Sequence, residues 1–267
     1  LTGCEVQITI GKRNSSLGRM ASASQRLLLD LEYLHLVPPC IDWQRQQGKA
    51  ELAGILDQAR RLKQAQLPAR IFLATLGGPE YRTLWRRPAE LADYPQHTSA
   101  VVITALEAIN ADTRRWLAGD YRADNTAFEL ALSEINKGDG GALLLALATQ
   151  SAWLAAADAM LDTRRARSPL CRPPLRPAAA DILPNVVARF FVGDIQPWSA
   201  ALGRRQYQLL PPLDALEDLL EKALPPAYRH WRAQRQSRLA DWIDAPRRHV
   251  QAVQSLLEPC RQTSGTG

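Results

Sequence analysis

The residues of this chain whose chemistry is easiest to predict from type and spacing are its four cysteines. They are Cys4, Cys40, Cys171 and Cys260. No two of them are close enough for a CxxC redox pair or for the short ligand spacing of a zinc site. An even number of widely spaced cysteines favours disulfides and an oxidising compartment. The alternative is a cytosolic protein with four buried, reduced thiols.

Cys4 has a second possible chemistry, because it ends the sequence LTGC, which has the form of a lipobox. Bacteria cleave exported proteins at such a motif and attach lipid to its cysteine. No signal-peptide region stands before Cys4, and the sequence has no initiator methionine. The chain has therefore either been processed or been cut from something longer. The hairpin described next favours a cross-linked Cys4 over a lipidated one.

The spacing of Cys4 and Cys40 favours a helical hairpin. One continuous helix would hold the two cysteines about 54 Å apart, at about 1.5 Å per residue. The sequence from Ser22 to Gln25 has the pattern of a capping box, which begins a second helix. That helix is expected to end before Pro38, so that two antiparallel helices bring the cysteines within disulfide distance. Four cysteines allow three pairing schemes, and we predict the scheme that contains Cys4–Cys40.

The second predicted bond, Cys171–Cys260, follows from this choice. Cys171 lies in a proline-rich connector at residues 168–177, where no helix can continue, and Cys260 ends the last predicted helix. The bond would attach the end of the chain to its body across a long loop. Such a cross-link stabilises a protein by about 2–4 kcal/mol.

Helical periodicity dominates the rest of the chain and predicts an all-α, bundle-like fold, organised as a single domain over residues 1–267. A hydrophobic fraction of 46% and a mean hydropathy of −0.24 are typical of a folded globular protein. The most apolar stretch, residues 141–161, is interpreted as a buried helix and not as a transmembrane span. Prolines are read as helix boundaries, so that residues 228–242 and 246–257 are predicted as two helices.

No motif for catalysis, metal binding or cofactor binding is recognisable, and none of these roles is predicted. The four histidines are not at ligand spacing from one another. His249 could face a carboxylate. Arg13, Asn14 and Ser15 are polar residues on the first predicted helix, and they are candidates either for a small polar pocket or for a structural network that fixes the hairpin. We favour the network.

The charge pattern suggests one candidate surface. All but five of the 33 basic residues are arginines, and the net charge is +6. Because they are scattered, they do not predict a nucleic-acid site. Four of the arginines recur every three residues and would form a sloping band on a helix. One interpretation is a contact for anionic lipid or for an acidic partner. The other, which we favour, is a solvated helix face. The four arginines are Arg229, Arg232, Arg235 and Arg238.

The hairpin region resembles a bacterial family catalogued as domain of unknown function 3080. In that family a cysteine is followed by an RNSSLG-like core (here residues 13–18), a serine-led helix and, after an apolar run, a second cysteine. Residues 195–198 and 242–260 are similar too, so the resemblance covers most of the chain. Lys12 is a departure, because an acidic residue is expected there, and it weakens any charge-dependent role of that position.

The resemblance implies an exported protein or lipoprotein of Gram-negative bacteria, with a signal peptide and lipobox upstream of the domain, and it brings no catalytic residues. We therefore expect a periplasmic lipoprotein, anchored at the outer membrane, that binds an envelope partner or an anionic lipid surface or supports an assembly. The alternative is an envelope enzyme with a polar pocket around Arg13 and Asn14.

Overall fold

The computed structural model describes residues 3–172 and 177–261, and in these residues the protein is all-α, as predicted, without a β-strand. Leu1 and Thr2 of LTGC and residues 173–176 of the connector lie outside the described residues. The α-helices are Val6–Asn14 (α1), Ser16–Met20 (α2), Ala23–Gln46 (α3), Ala50–Ala74 (α4), Pro79–Leu84 (α5), Val101–Leu117 (α6), Asn125–Ile135 (α7), Gly140–Arg167 (α8), Ala179–Val186 (α9), Gln196–Leu219 (α10) and Pro226–Arg261 (α11). A π-helix, Val187–Ile195, joins α9 to α10, and a 3₁₀-helix, Glu221–Ala223, follows α10.

The chain forms two compact units, each built from three separate stretches. Unit 1 contains Leu1–Arg86, Ser99–Gly140 and Gln208–Arg229, and unit 2 contains Arg87–Thr98, Gly141–Tyr207 and His230–Gly267. The helices α10 and α11 contribute residues to both units. A single folding domain over the whole chain stays a prediction.

The centre of unit 1 is an antiparallel hairpin of α3 and α4, with α1 packed against α3. The capping box that begins α3 is confirmed: the Ser22 hydroxyl accepts a hydrogen bond from the Gln25 amide, and the Gln25 side chain accepts one from the Ser22 amide. Val6 of α1 is fully buried in a cluster with the apolar face of α3. The Cys4–Cys40 disulfide, with a Cα–Cα distance of 5.4 Å, closes this arrangement as predicted.

The prolines do not end the helices where the sequence pattern placed the boundaries. Helix α3 continues through Pro38 and Pro39, and α11 continues through Pro246. Each proline removes one backbone donor from its helix. In α3 the buried residues on either side of the pair, Val37 and Cys40, belong to the same core cluster, and their burial keeps the helix continuous.

In the remainder of unit 1, α7 packs against α6. Asp124 begins α7 as a cap, and its carboxylate accepts a hydrogen bond from the Ala127 amide at 2.9 Å. The rings of Trp116 and Phe128 meet edge to face with 5.4 Å between their centroids. Both side chains are fully buried, so this pair anchors α7 to α6.

Unit 2 is organised around α8, the π-helix and α11. Leu154 of α8, Phe191 of the π-helix and Ala245 of α11 form one core cluster. A second cluster surrounds the predicted Cys171–Cys260 disulfide, whose Cα atoms are 5.0 Å apart. Because the sulfur atoms are buried, this bond is part of the core of unit 2.

The helical segment Asn125–Arg167 contains a window that is long and apolar enough to cross a membrane, by length and composition alone, and 44% of that window is buried. Most of the buried residues of α8 lie in its first half, whereas Trp153 at its midpoint and Met160 in its second half are exposed. The predicted buried helix is therefore buried mainly in its first half, and the absence of a membrane span stays a prediction.

Candidate functional site

The polar residues of the RNSSLG core have different roles in the structure. Ser15 separates α1 from α2 and caps α2, because its hydroxyl accepts a hydrogen bond from the Gly18 amide at 3.0 Å. The same hydroxyl donates to the carbonyl oxygen of Lys12 at 2.7 Å. Lys12, the departure from the family pattern, forms an exposed ion pair with Glu32 at 3.3 Å. Ser15 is therefore a structural residue of the turn.

Arg13 and Asn14 line a cavity of about 200 Å³, which we call the polar cavity. Ser15 does not line it and instead borders a larger open cavity of about 680 Å³. The other side chains that line the polar cavity come from α1, α3 and α4. They are Thr9, Ile10, Leu29, Asp30, Tyr33 and Lys63.

The sequence interpretation missed Asp30, the carboxylate of the polar cavity. Asp30 is only 4% exposed and forms ion pairs with two residues of α4, Lys63 and, at 3.7 Å, Arg70. A signal was present, since Asp30 interrupts a run of leucines on the helix face that is otherwise apolar. Its partners could not be read from the sequence, because they lie more than thirty residues further along the chain.

Tyr33 forms one wall of the polar cavity and stays uncharged. Its hydroxyl donates a hydrogen bond to the carbonyl oxygen of Leu56 at 3.1 Å, and Lys63 lies over its ring at 5.3 Å from the centroid. Burial and, to a smaller extent, the nearby charge of Asp57 raise the pKa of Tyr33 above its usual value. Tyr33 therefore holds α3 against α4 as a neutral hydrogen-bond donor.

Unit 2 contains a different kind of cavity, which we call the apolar groove. It has a volume of about 310 Å³ and lies between α8 on one side and α9 with the π-helix on the other. Four of its large apolar side chains are exposed: Trp153 by 61%, Met160 by 70%, Phe190 by 54% and Val186 by 44%. Contiguous exposed apolar surface of this kind is typical of binding sites.

A basic edge adjoins the apolar groove at Met160. Arg164 and Arg167 follow Met160 by four and seven residues on α8, so the three side chains lie on the same helix face. Together they line a neighbouring cavity of about 360 Å³. Arg164 uses one nitrogen to donate to the carbonyl oxygen of Ser168 at 2.9 Å. The groove therefore has an apolar body and a cationic end.

His249 does face a carboxylate, as its place in the sequence suggested. Its Nδ1 lies 2.6 Å from Oδ1 of Asp158, and its ring packs on that of Phe191 with 4.9 Å between centroids. The side chain is 8% exposed at the base of the apolar groove. This pair connects α11 to α8 and so fixes the floor of the groove.

The four arginines proposed as a basic band do not form one exposed face. Arg235 is buried, and its guanidinium stacks on the ring of Trp231 at 4.9 Å from the centroid. Arg232 is half-buried, whereas Arg229 and Arg238 are exposed. A band that meets a flat anionic surface would need all four side chains outside, so a role in anion binding stays a prediction.

Metal chemistry receives no support from the geometry of residues 3–172 and 177–261. Within these ranges no group of three or more histidine, cysteine, aspartate or glutamate side chains could hold a metal ion. All four cysteines are in disulfides, so none is available as a thiolate ligand or nucleophile.

The fold and these sites define an all-helical, disulfide-linked protein with a polar cavity in one unit and an apolar groove in the other. The chain belongs to the family described as Protein of unknown function (DUF3080), whose model matches residues 1–263. This confirms the family indicated by the RNSSLG core and its flanking cysteines. No curated protein and no solved structure is significantly similar to the chain.

Proposed function

We propose that the protein is an exported envelope protein that binds an anionic amphiphile, with an acyl chain in the apolar groove and a charged headgroup beside Arg164 and Arg167. The observation that carries this proposal is that the apolar groove and the basic cavity are adjacent, because Met160 lines both. An apolar body with a cationic end has the same polarity as a fatty acid or an anionic lipid.

Burial of an acyl chain supplies the affinity. Each methylene removed from water contributes about 0.8 kcal/mol, and the exposed rings of Trp153 and Phe190 would be covered at the same time. The groove volume of about 310 Å³ is at the lower end of the roughly 300–1,000 Å³ that is typical of small-molecule sites. The site therefore suits a single chain better than a bulky ligand.

Arg164 and Arg167 make the proposed site selective for anionic ligands. Guanidinium groups bind carboxylate and phosphate oxygens through two parallel hydrogen bonds. Cations at the C-terminal end of a helix such as α8 also have a purely structural role, because the helix dipole favours them there. If the arginines bind the headgroup, removing them weakens a charged ligand but not an uncharged ligand of the same chain length. If their role is only structural, the two ligands are affected alike.

The compartment is part of the proposal. Two disulfides and no free cysteine suit an oxidising environment such as the periplasm. We place the domain there as part of a lipoprotein whose signal peptide and lipidated cysteine lie upstream of this sequence. The Cys4 sulfur is bonded to that of Cys40 and so cannot carry a thioether-linked lipid.

The alternative, an envelope enzyme that acts in the polar cavity, is supported by fewer features. Asp30 would be its carboxylate, but Lys63 and Arg70 already bind this side chain. The described lining contains neither histidine nor cysteine, and the Thr9 hydroxyl has no base in contact with it. We therefore propose binding as the function.

Calorimetric titration of the full chain with dodecanoate and with uncharged dodecanol tests the proposal. Dodecanoate is expected to bind at one saturable site. Phe190→Ser should weaken it by about tenfold or more, because it removes a ring from the groove, whereas Val192→Ser, an exposed residue of the same π-helix outside the lining, should not. Absence of saturable dodecanoate binding, or equal effects of the two variants, would contradict the proposal.

A second pair of variants, one test and one control, addresses the role of Arg164 and Arg167. A double variant, Arg164→Gln with Arg167→Gln, should weaken dodecanoate but leave dodecanol unchanged. Arg165→Gln is the control, because Arg165 pairs with Asp162 at 2.8 Å and lines neither cavity. If the double variant binds dodecanoate as the control does, the arginines have only their structural role.

A further inference from the structure

We infer that the polar cavity of unit 1 is a binding site for one small oxyanion, of the carboxylate or phosphate class, held by Thr9, Arg13 and Asn14. This site is separate from the apolar groove, and the inference does not depend on the function proposed for that groove.

The first observation is an unpartnered hydroxyl. Thr9 is 2% exposed and lines the polar cavity, yet its Oγ1 has no hydrogen-bond partner among the described residues. Buried hydroxyls in proteins are almost always hydrogen-bonded, and helical threonines commonly donate to the carbonyl four residues earlier. Thr9 belongs to a cavity wall, so a ligand in that cavity is the group that could satisfy its unpaired hydroxyl.

The second observation is the balance of charge. Asp30 is the one carboxylate in the lining that the structure describes, and it already binds Lys63 and Arg70. Arg13 has no carboxylate partner within the described residues and uses only Nη1, which donates to the Gly18 carbonyl oxygen at 3.2 Å. The lining therefore contains two cations, Arg13 and Lys63, and one carboxylate, which leaves an excess of positive charge that an anion would neutralise.

The third observation is the placement of the donors. Thr9 and Arg13 are four residues apart on α1 and therefore lie on the same face, with Asn14 next to them at the end of the helix. Residues that carry a hydroxyl, a guanidinium and an amide thus line one space of about 200 Å³. Arginine forks and hydroxyl donors are the groups that bind carboxylate and phosphate oxygens.

The volume limits the size of the ligand. At roughly 30 Å³ for each water molecule, the polar cavity has room for only a few waters or for one small anion. Inorganic phosphate, acetate or the terminal group of a larger molecule would fit, whereas a nucleotide would not. Asn14 lines the cavity and is itself exposed, so this part of the wall lies at the protein surface, where such a group can approach from solvent.

The test is calorimetric titration of the full chain, in a chloride buffer, with inorganic phosphate and, separately, with acetate up to about 10 mM. We expect saturable binding of at least one of them. Binding of phosphate alone assigns the phosphate class, and binding of acetate assigns the carboxylate class. If neither anion binds in this range, the inference is wrong and the cavity holds only water.

Two variants keep the test independent of folding. Arg13→Gln should weaken the anion by about tenfold or more, whereas Arg19→Gln, an exposed arginine of α2 outside the lining, should change affinity less than about twofold. Thr9→Val removes only the hydroxyl. It should weaken the anion while leaving the unfolding midpoint of the anion-free protein unchanged or higher, because it removes an unpaired buried donor.

The outcome that contradicts the inference is equal anion affinity in the Thr9→Val, Arg13→Gln and Arg19→Gln proteins. Phe190→Ser in the apolar groove should leave phosphate and acetate binding unchanged. Loss of dodecanoate binding with retention of phosphate or acetate binding therefore separates this site from the one in unit 2.

Discussion

The carbonyl oxygen of Lys12 lies only 2.1 Å from the position that a Cβ atom on Gly18 would occupy. The carbonyl oxygen of Arg13 is also close, at 2.7 Å from the same point. Both oxygens belong to the backbone and cannot rotate away, so only glycine fits where α2 folds back on the end of α1. The glycine of the RNSSLG core is therefore a requirement of the chain path.

Gly18→Ala should destabilise the protein by about 1–3 kcal/mol, because the added methyl group forces α1 and α2 apart. Gly11→Ala on α1 is the matched control. A Cβ there meets nothing within 4 Å, and alanine is the better helix former, so it should stabilise by about 0.5–1 kcal/mol. Denaturant unfolding measures both changes, and a neutral Gly18→Ala would contradict the close approach.

Asp30→Asn tests the ion pairs beneath the polar cavity. The change leaves Lys63 and Arg70 without their carboxylate, and we expect a loss of about 3 kcal/mol, since both cations are partly exposed and can partly re-solvate. Asp42→Asn removes an exposed pair with Arg45 within α3 and should change stability by less than about 0.5 kcal/mol. Equal effects in urea titrations would show that Asp30 is not buried in the folded protein.

The turn between α6 and α7 should make stability depend on acid pH through Asp120. Hydrogen bonds from Arg122, and then from Arg115, lower the pKa of Asp120 from 3.8 to about 2. Because the pKa is lower in the folded state, Asp120 contributes stability above pH 4 and loses it as the pH falls towards 2. Asp120→Asn should therefore be less stable than the natural protein at pH 6 and equally stable near pH 2.

Denaturant midpoints of the two proteins at these two pH values measure the effect of Asp120. If the midpoints of the natural protein and of Asp120→Asn differ by the same amount at pH 6 and near pH 2, the ionised carboxylate of Asp120 is not what stabilises the turn. The Asp124→Asn variant is a useful reference, since asparagine caps a helix about as well as aspartate and the α7 cap should persist.

The two disulfides should affect the proposed acyl site differently. Leu161 and Leu183 line the apolar groove and also pack on the cluster around Cys171 and Cys260. A double Cys171→Ser, Cys260→Ser variant should therefore lose about 2–4 kcal/mol of stability and weaken dodecanoate binding. This prediction rests on the function proposed for the groove.

The double Cys4→Ser, Cys40→Ser variant is the control for the acyl site. It should lose a similar amount of stability, because it removes the link between the start of α1 and α3, but should retain the dodecanoate affinity of the natural protein at temperatures where both variants are folded. If both double variants lower the affinity equally, the Cys171–Cys260 bond has no specific role at the groove.

The sequence by itself determined the helical class, the α3 capping box and the pairing of its cysteines. These features depend on local periodicity, on the hydrogen bonds of one helix turn, or on the few ways in which a hairpin can return to its start. The RNSSLG core carries the family resemblance, and two of its residues, Arg13 and Asn14, line a cavity. The role of Ser15 as a cap could also be read locally, since its partners are three residues away.

Only the tertiary structure decided which residues meet across helices. Lys63 and Arg70 bind Asp30 because the α3–α4 hairpin aligns them, and no local pattern encodes that alignment. The course of α3 through Pro38 and Pro39 was decided in the same way, since burial of the apolar face outweighs the lost backbone hydrogen bonds. Both candidate sites therefore depend on packing between distant segments, whereas the helices and cross-links that hold them follow from the sequence.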